Sequence, residues 1–316
     1  MNQLTNPAAK RNLPSEDTAM RLNRIKPYTN ILFNLIFLVA AIVAVLPVIF
    51  VFMISVSSEA SINASGYSFI PAEFSLSAYG MLWNERKQIF NALGVSVSVT
   101  ALGTIVGVIL TTTMGYVLSR PQYKLKGFFT YVVFIPMIFN GGMFANYVVG
   151  ANILGLRNSI WALVLPLAVS SFNIIISKTF FKSTIPDSIV ESAKIDGASQ
   201  LRIFVQIVLP ISKPVIATIG LFLAFGYWND WFQSALFINA QSLFSLQAML
   251  NQIQKSLEFF ASNPTAGLSL QQYKTTMPRE GVRMAIAILI AVPIACIYPF
   301  FQKYFISGLT IGAVKG

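Results

Sequence analysis

Residues 31–54 run without a single charged side chain. As a helix rising 1.5 Å per residue, this stretch reaches about 36 Å, enough to cross a bilayer with some tilt. No small-residue cleavage site follows it. The 30 residues before it carry Lys10, Arg11, Arg21, Arg24 and Lys26, too long and polar a lead for a signal peptide, so the run reads as a retained span.

Composition extends that constraint to the whole chain. Only 10% of the 316 residues are charged and 55% are hydrophobic, against about 25% charged in a soluble domain. There is too little charge to cover a water-facing surface. Further apolar runs at about 90–118, 127–149, 159–181, 214–238 and 284–301 bring the expected spans to six. The expected fold class is therefore all-α integral membrane, with a six-span domain over 31–301 and no room for a large soluble domain. Tails at 1–30 and 302–316 would lie on the same side.

Histidine is absent and Cys296 is the only cysteine. An internal disulfide is impossible, a Ser-His-Asp triad cannot form, and a His/Cys metal site is not expected. No G-x-x-x-x-G-K-[ST] sequence is present, so the chain lacks the phosphate-binding loop of an ATPase. The net charge of +11 marks a membrane face rather than a nucleic-acid surface. With the amino terminus inside, fifteen Lys and Arg fall on inner segments and seven on outer ones, which puts both termini in the cytoplasm.

Three connections are long enough to carry function; the outer loop 55–88, rich in Ser, Ala, Gly and Pro, is expected to pack on the outer face of the spans, and the other two are more informative. The outer segment 239–281 carries an apolar stripe of Leu246, Met249, Leu250, Ile253, Leu257 and Phe260 opposite Gln247, Asn251, Gln254, Lys255 and Glu258, the pattern of an amphipathic helix. The inner connection 182–213 predicts a hairpin of two short helices. Pro186 and Asp187 suit a helix start, Gly197 interrupts, Ser199 can cap the second helix and Leu209-Pro210 ends it.

Within that hairpin, Glu191-Ser192-Ala193-Lys194-Ile195-Asp196-Gly197-Ala198-Ser199 followed by Ile207-Val208-Leu209-Pro210 resembles the EAA motif of ABC importer permeases, with Ser192 in place of the first alanine. The run GYWNDWF at 226–232 and the carboxy-terminal IYPFFQKYFISGLTIGAVKG resemble the carbohydrate-uptake branch, in particular its oligosaccharide and polysaccharide subfamily. The resemblance implies a type I permease fold in which 182–213 is the coupling hairpin for a cytoplasmic ATPase dimer. Glu191, Ala193, Asp196, Gly197 and Ala198 become the candidate coupling residues. Ala193, Gly197 and Ala198 would keep the turn compact; Glu191 and Asp196 offer charged contacts. The further partners implied are a second, homologous permease, an extracellular solute-binding protein and an oligosaccharide, with ATP and Mg held by the ATPase and no cofactor on this chain.

Asp230 is the one acid inside an expected span. A carboxylate there costs roughly 2.5–3.5 kcal/mol even on insertion scales, so it should face protein or a water-filled cavity. With Trp228, Asn229, Trp231 and Phe232 it forms a candidate substrate pathway, aromatic faces for sugar rings beside amide and carboxylate groups for hydroxyls. The alternative is an ion-coupled secondary transporter using Asp230, which a lone acid and the lack of an inverted repeat disfavour. Gly103 and Gly107 form a G-x-x-x-G spacing that allows close helix approach, and packing inside one subunit is its expected use.

Overall fold

The computed structural model describes residues 26–262 and 279–313. The expectations placed on the first 25 residues and on the loop at 263–278 lie outside them. Two compact units divide the chain, 1–51 and 52–316. Helix α1 (Pro27–Ser55) begins in the first, carries Pro47 and is about 44 Å long.

The described part of the second unit is helical, its β content an isolated antiparallel bridge between Ser57 and Phe74. Short helices α2 (Glu59–Ser65) and α3 (Ser77–Asn84) form within the connection after α1. Glu59 accepts hydrogen bonds from the backbone of Glu280 and Gly281, both at 3.4 Å, and so caps the first turn of α14 (Arg279–Ala313). Tyr67 donates to Glu280 at 2.9 Å. That bond to a carboxylate, helped by partial burial, raises the Tyr67 pKa above the usual tyrosine value.

The long helix α4 (Arg86–Ser119) is the post around which the rest packs, touching α7 (Trp161–Ala168), α8 (Ser171–Thr184), α11 (Lys213–Trp228) and α13 (Leu246–Ser262). Its glycines permit this. A Cβ at Gly103 would collide with the Tyr227 ring of α11, and one at Gly107 would sit 2.8 Å from the Ala168 carbonyl. The G-x-x-x-G spacing thus serves packing within the chain. Tyr227 completes the joint by donating to the Val164 carbonyl of α7 at 2.6 Å.

Four expected spans differ from what folds. The run at 127–149 breaks at Phe139–Gly141 into α5 (Lys126–Ile138) and α6 (Gly142–Val148), where Asn140 accepts from the Gly142 backbone and Gly142 takes φ +76°. The run at 159–181 is α7 and α8 bent by 49°, with extended backbone at Val169 and the freed end of α7 laid against Gly107. The run at 214–238 stops at Trp228 and resumes as α12 (Phe232–Phe237), because Asp230 and its neighbours leave the helix. The last run, expected at 284–301, is the middle of the 35-residue α14, which continues through most of the tail expected at 302–316. Hydropathy marks apolar length and is blind to such breaks. Of the described helices, α1 and α4 are each long and apolar enough to cross a membrane, and two bent pairs qualify together: α7 with α8, and α10 (Gln200–Ile211) with α11 across a bend of 83°.

Candidate functional site

Residues 182–213 form the expected hairpin. Helix α9 (Asp187–Ile195) starts after Pro186 with Asp187 in its first turn, next to the positive end of the helix dipole. It ends in a Schellman turn: the Ala198 amide donates to Ala193 O at 2.9 Å, the Gly197 amide to Lys194 O at 3.0 Å, and Gly197 takes φ +80°. This turn explains the motif. Glycine is needed at the left-handed position, and Ala193 and Ala198 are the small residues whose backbones meet across it. Ser199 then caps α10 (Gln200–Ile211) by accepting from the Arg202 amide at 3.3 Å, and α10 carries a π-helical turn at Phe204–Val208. At Ser212 the chain turns by 83° into α11.

One expectation about Gly197 needs correction. A Cβ there would meet nothing within 4 Å, so glycine is required by the backbone conformation and not by crowding.

The hairpin's inner side closes a small core. Val190, Ala193, Ile203 and Val208 pack on Tyr116 of α4, Phe181 of α8 and Ile185. Its outer side shows the reverse. Ile195 is 86% exposed and Leu201 73%, and Glu191 and Asp196 are exposed beside them. A cleft of about 490 Å³ lies between α10, α9 and the loop Pro121–Tyr123. Across it Gln122 accepts from Lys194 Nζ at 2.6 Å and donates to Glu191 at 3.4 Å. Ile195, Leu201 and Gln122 were missed in the sequence. The first two could have been found as large apolar residues in a polar segment; Gln122 gives no such signal.

Asp230 and its neighbours are dispersed by the break after α11. Trp228 is 6% exposed, packed with Leu246, Met249, Leu250 and Ile286, and donates its indole N–H to Ile290 O at 3.3 Å. It belongs to the core and not to a cavity wall. The Asp230 carboxylate accepts from the Gln233 amide at 3.1 Å and so caps α12, while its carbonyl accepts from Ser245 Oγ at 3.0 Å. Asn229, Trp231 and Phe232 are exposed. Lys255 of α13 stands 5.1 Å above the Trp231 ring, and Gln247 of the same helix donates to Asn229 at 3.4 Å. Among the described residues no cluster of three His, Cys, Asp or Glu side chains could hold a metal ion.

The family of the binding-protein-dependent transport system inner membrane component matches residues 103–311, from the middle of α4 to the end of α14 and including the whole hairpin. The chain belongs to this family. Protein LplC of Bacillus subtilis (strain 168) is 38% identical over 285 residues, 90% of this chain and 94% of its own. The polygalacturonan/rhamnogalacturonan transport system permease protein YtcP of the same organism is also 38% identical, covering 88% and 95%. A chain in the crystal structure of a bacterial ABC transporter involved in the import of the acidic polysaccharide alginate matches with a TM-score of 0.73 at 28% identity, covering 88% of this permease and 96% of that chain. The permease is thus a membrane transport component and not an enzyme. Membership implies a solute-binding protein and an ATPase as partners, and the reading as an ion-coupled transporter gains no support.

Proposed function

We propose that this permease forms half of the translocation pathway of an ATP-driven importer for oligosaccharides in a bacterial cytoplasmic membrane. It crosses six times with both termini inside, paired with a second, homologous permease. The carrying observation is the hairpin 182–213, where Ile195 and Leu201 are exposed on the same short segment as exposed Glu191 and Asp196. Large apolar side chains exposed among charges on such a segment suit a protein-docking surface. Its occupant is the ATPase dimer, which holds ATP and Mg. Closing of that dimer draws the two hairpins together and opens the cavity outward; hydrolysis resets it. The test is co-purification of the ATPase. Ile195→Asp should abolish it while the permease still inserts, and Glu191→Ala should weaken it more at high salt, as expected of a partly exposed ionic contact. Full retention in both variants would contradict this assignment.

The substrate class rests on the relatives, whose printed substrates are sugar polymers and oligomers, two of them acidic. Trp231, Phe232 and Asn229 offer the ring faces and amide of a sugar path, and Lys255 beside Trp231 adds a cation to pair with a sugar carboxylate.

A further inference from the structure

Arg120 entered the sequence reading as one positive charge among fifteen on the inner side. In the structure it directly follows α4 as its C-cap, and its side chain is heavily engaged near the hairpin. Its side chain is only 12% exposed. Nη1 donates to Asp187 Oδ1 at 2.9 Å, Nη2 to the carbonyls of Phe181 at 3.1 Å and Ile185 at 3.4 Å, and Nε to Ser119 Oγ at 3.0 Å. The guanidinium also lies 5.3 Å from the centre of the Tyr116 ring. Phe181 O sits in the last turn of α8, where helix carbonyls carry partial negative charge, and Asp187 opens α9. One planar fork therefore joins the end of α4, the end of α8 and the start of the hairpin.

We propose that Arg120 is the positioning residue through which movement of the hairpin reaches α4, a role that rests on the coupling assignment of 182–213. The apolar contacts of Val190, Ala193, Ile203 and Val208 hold the hairpin against the spans but have no direction and permit sliding. A guanidinium with fixed donor geometry bound to one carboxylate and two carbonyls resists displacement along the membrane plane, the direction in which hairpins would be drawn together. Because α4 packs on α7, α8, α11 and α13, a pull at Arg120 is passed to most of the second unit. Lysine can replace it only in part: a point charge keeps the Asp187 attraction and loses the fork.

The test uses the complete complex, reconstituted with its ATPase and binding protein in vesicles. In Arg120→Gln the ATPase should stay bound and hydrolyse ATP, while substrate imported per ATP falls at least about tenfold. Arg120→Lys should recover part of that loss, and Asp187→Asn, which spares the carbonyl bonds, should lose less. The decisive readout is rescue. In a background lacking Cys296, Gln122→Cys with Lys194→Cys joined by a short bis-maleimide should restore import per ATP in Arg120→Gln, since it re-ties α9 to the end of α4 without repairing any charge. Wild-type coupling in Arg120→Gln, or no rescue on cross-linking, overturns the proposal. If Arg120→Gln fails to assemble, wild-type coupling in both Arg120→Lys and Asp187→Asn overturns it equally. The hairpin assignment is separable: if Ile195→Asp still releases the ATPase, the hairpin reading stands even when the Arg120 tie fails.

Discussion

Gly197 sits at φ +80° with open space where a side chain would go. Its substitution cost should therefore depend on backbone preference and hardly on size. Gly197→Ala and Gly197→Leu should each cost roughly 1–2 kcal/mol at the turn and depress binding-protein-stimulated ATP hydrolysis alike. Gly197→Asn, better suited to the left-handed region, should be milder. A steep loss from Ala to Leu in that assay would mean the turn is crowded in the assembled complex. Asp230 separates two roles in the same manner. Asp230→Ala removes the cap of α12 at a cost of about 1 kcal/mol and should lower the yield of assembled complex. Asp230→Asn keeps an oxygen for the Gln233 amide and removes only the charge. If the carboxylate takes part in the sugar path, Asp230→Asn should assemble normally and import less per complex; normal import would leave Asp230 a cap alone.

Among elements, the hairpin was the most legible part of the chain, and the reason is local. Pro186 fixes its own φ ahead of α9, Gly197 takes the left-handed turn and Ser199 caps α10, so their spacing alone encodes two helices and the break between them. The amphipathic stripe likewise gave α13, whose buried Leu246, Met249 and Leu250 lie on the expected face. The spans were legible as apolar length and illegible as continuous helices. The breaks at Asn140, Val169 and Asp230 depend on side-chain caps and on the approach of α4, which no hydropathy window contains. For the same reason the sequence could not show that Trp228 turns into the core while Trp231 stays outside. The α4–α11 joint supplies a test at this scale. Gly103→Leu should drive α11 off α4 by colliding with Tyr227 and lower the melting temperature of the complex, whereas Gly94→Leu, where nothing lies within 4 Å, should leave it unchanged.

At the scale of the whole molecule, the proposed function gives two regions opposite requirements: a hairpin that must transmit movement, and a patch around Trp231 that would have to bind weakly enough to release. The proposal assigns substrate choice to the second. If Lys255 reads a sugar carboxylate, Lys255→Gln should lower uptake of uronate oligomers several-fold relative to neutral oligomers of equal length, with ATP hydrolysis intact; equal losses for both would remove charge reading from this patch. The central claim is that the hairpin turns ATP hydrolysis into import, and it is tested most directly by measuring import and ATP hydrolysis together in vesicles holding the full complex. The account predicts that uptake requires both ATP and the binding protein, and that Ile195→Asp abolishes it together with ATPase attachment. Import that persists in Ile195→Asp vesicles at the wild-type ratio to ATP hydrolysed would contradict it.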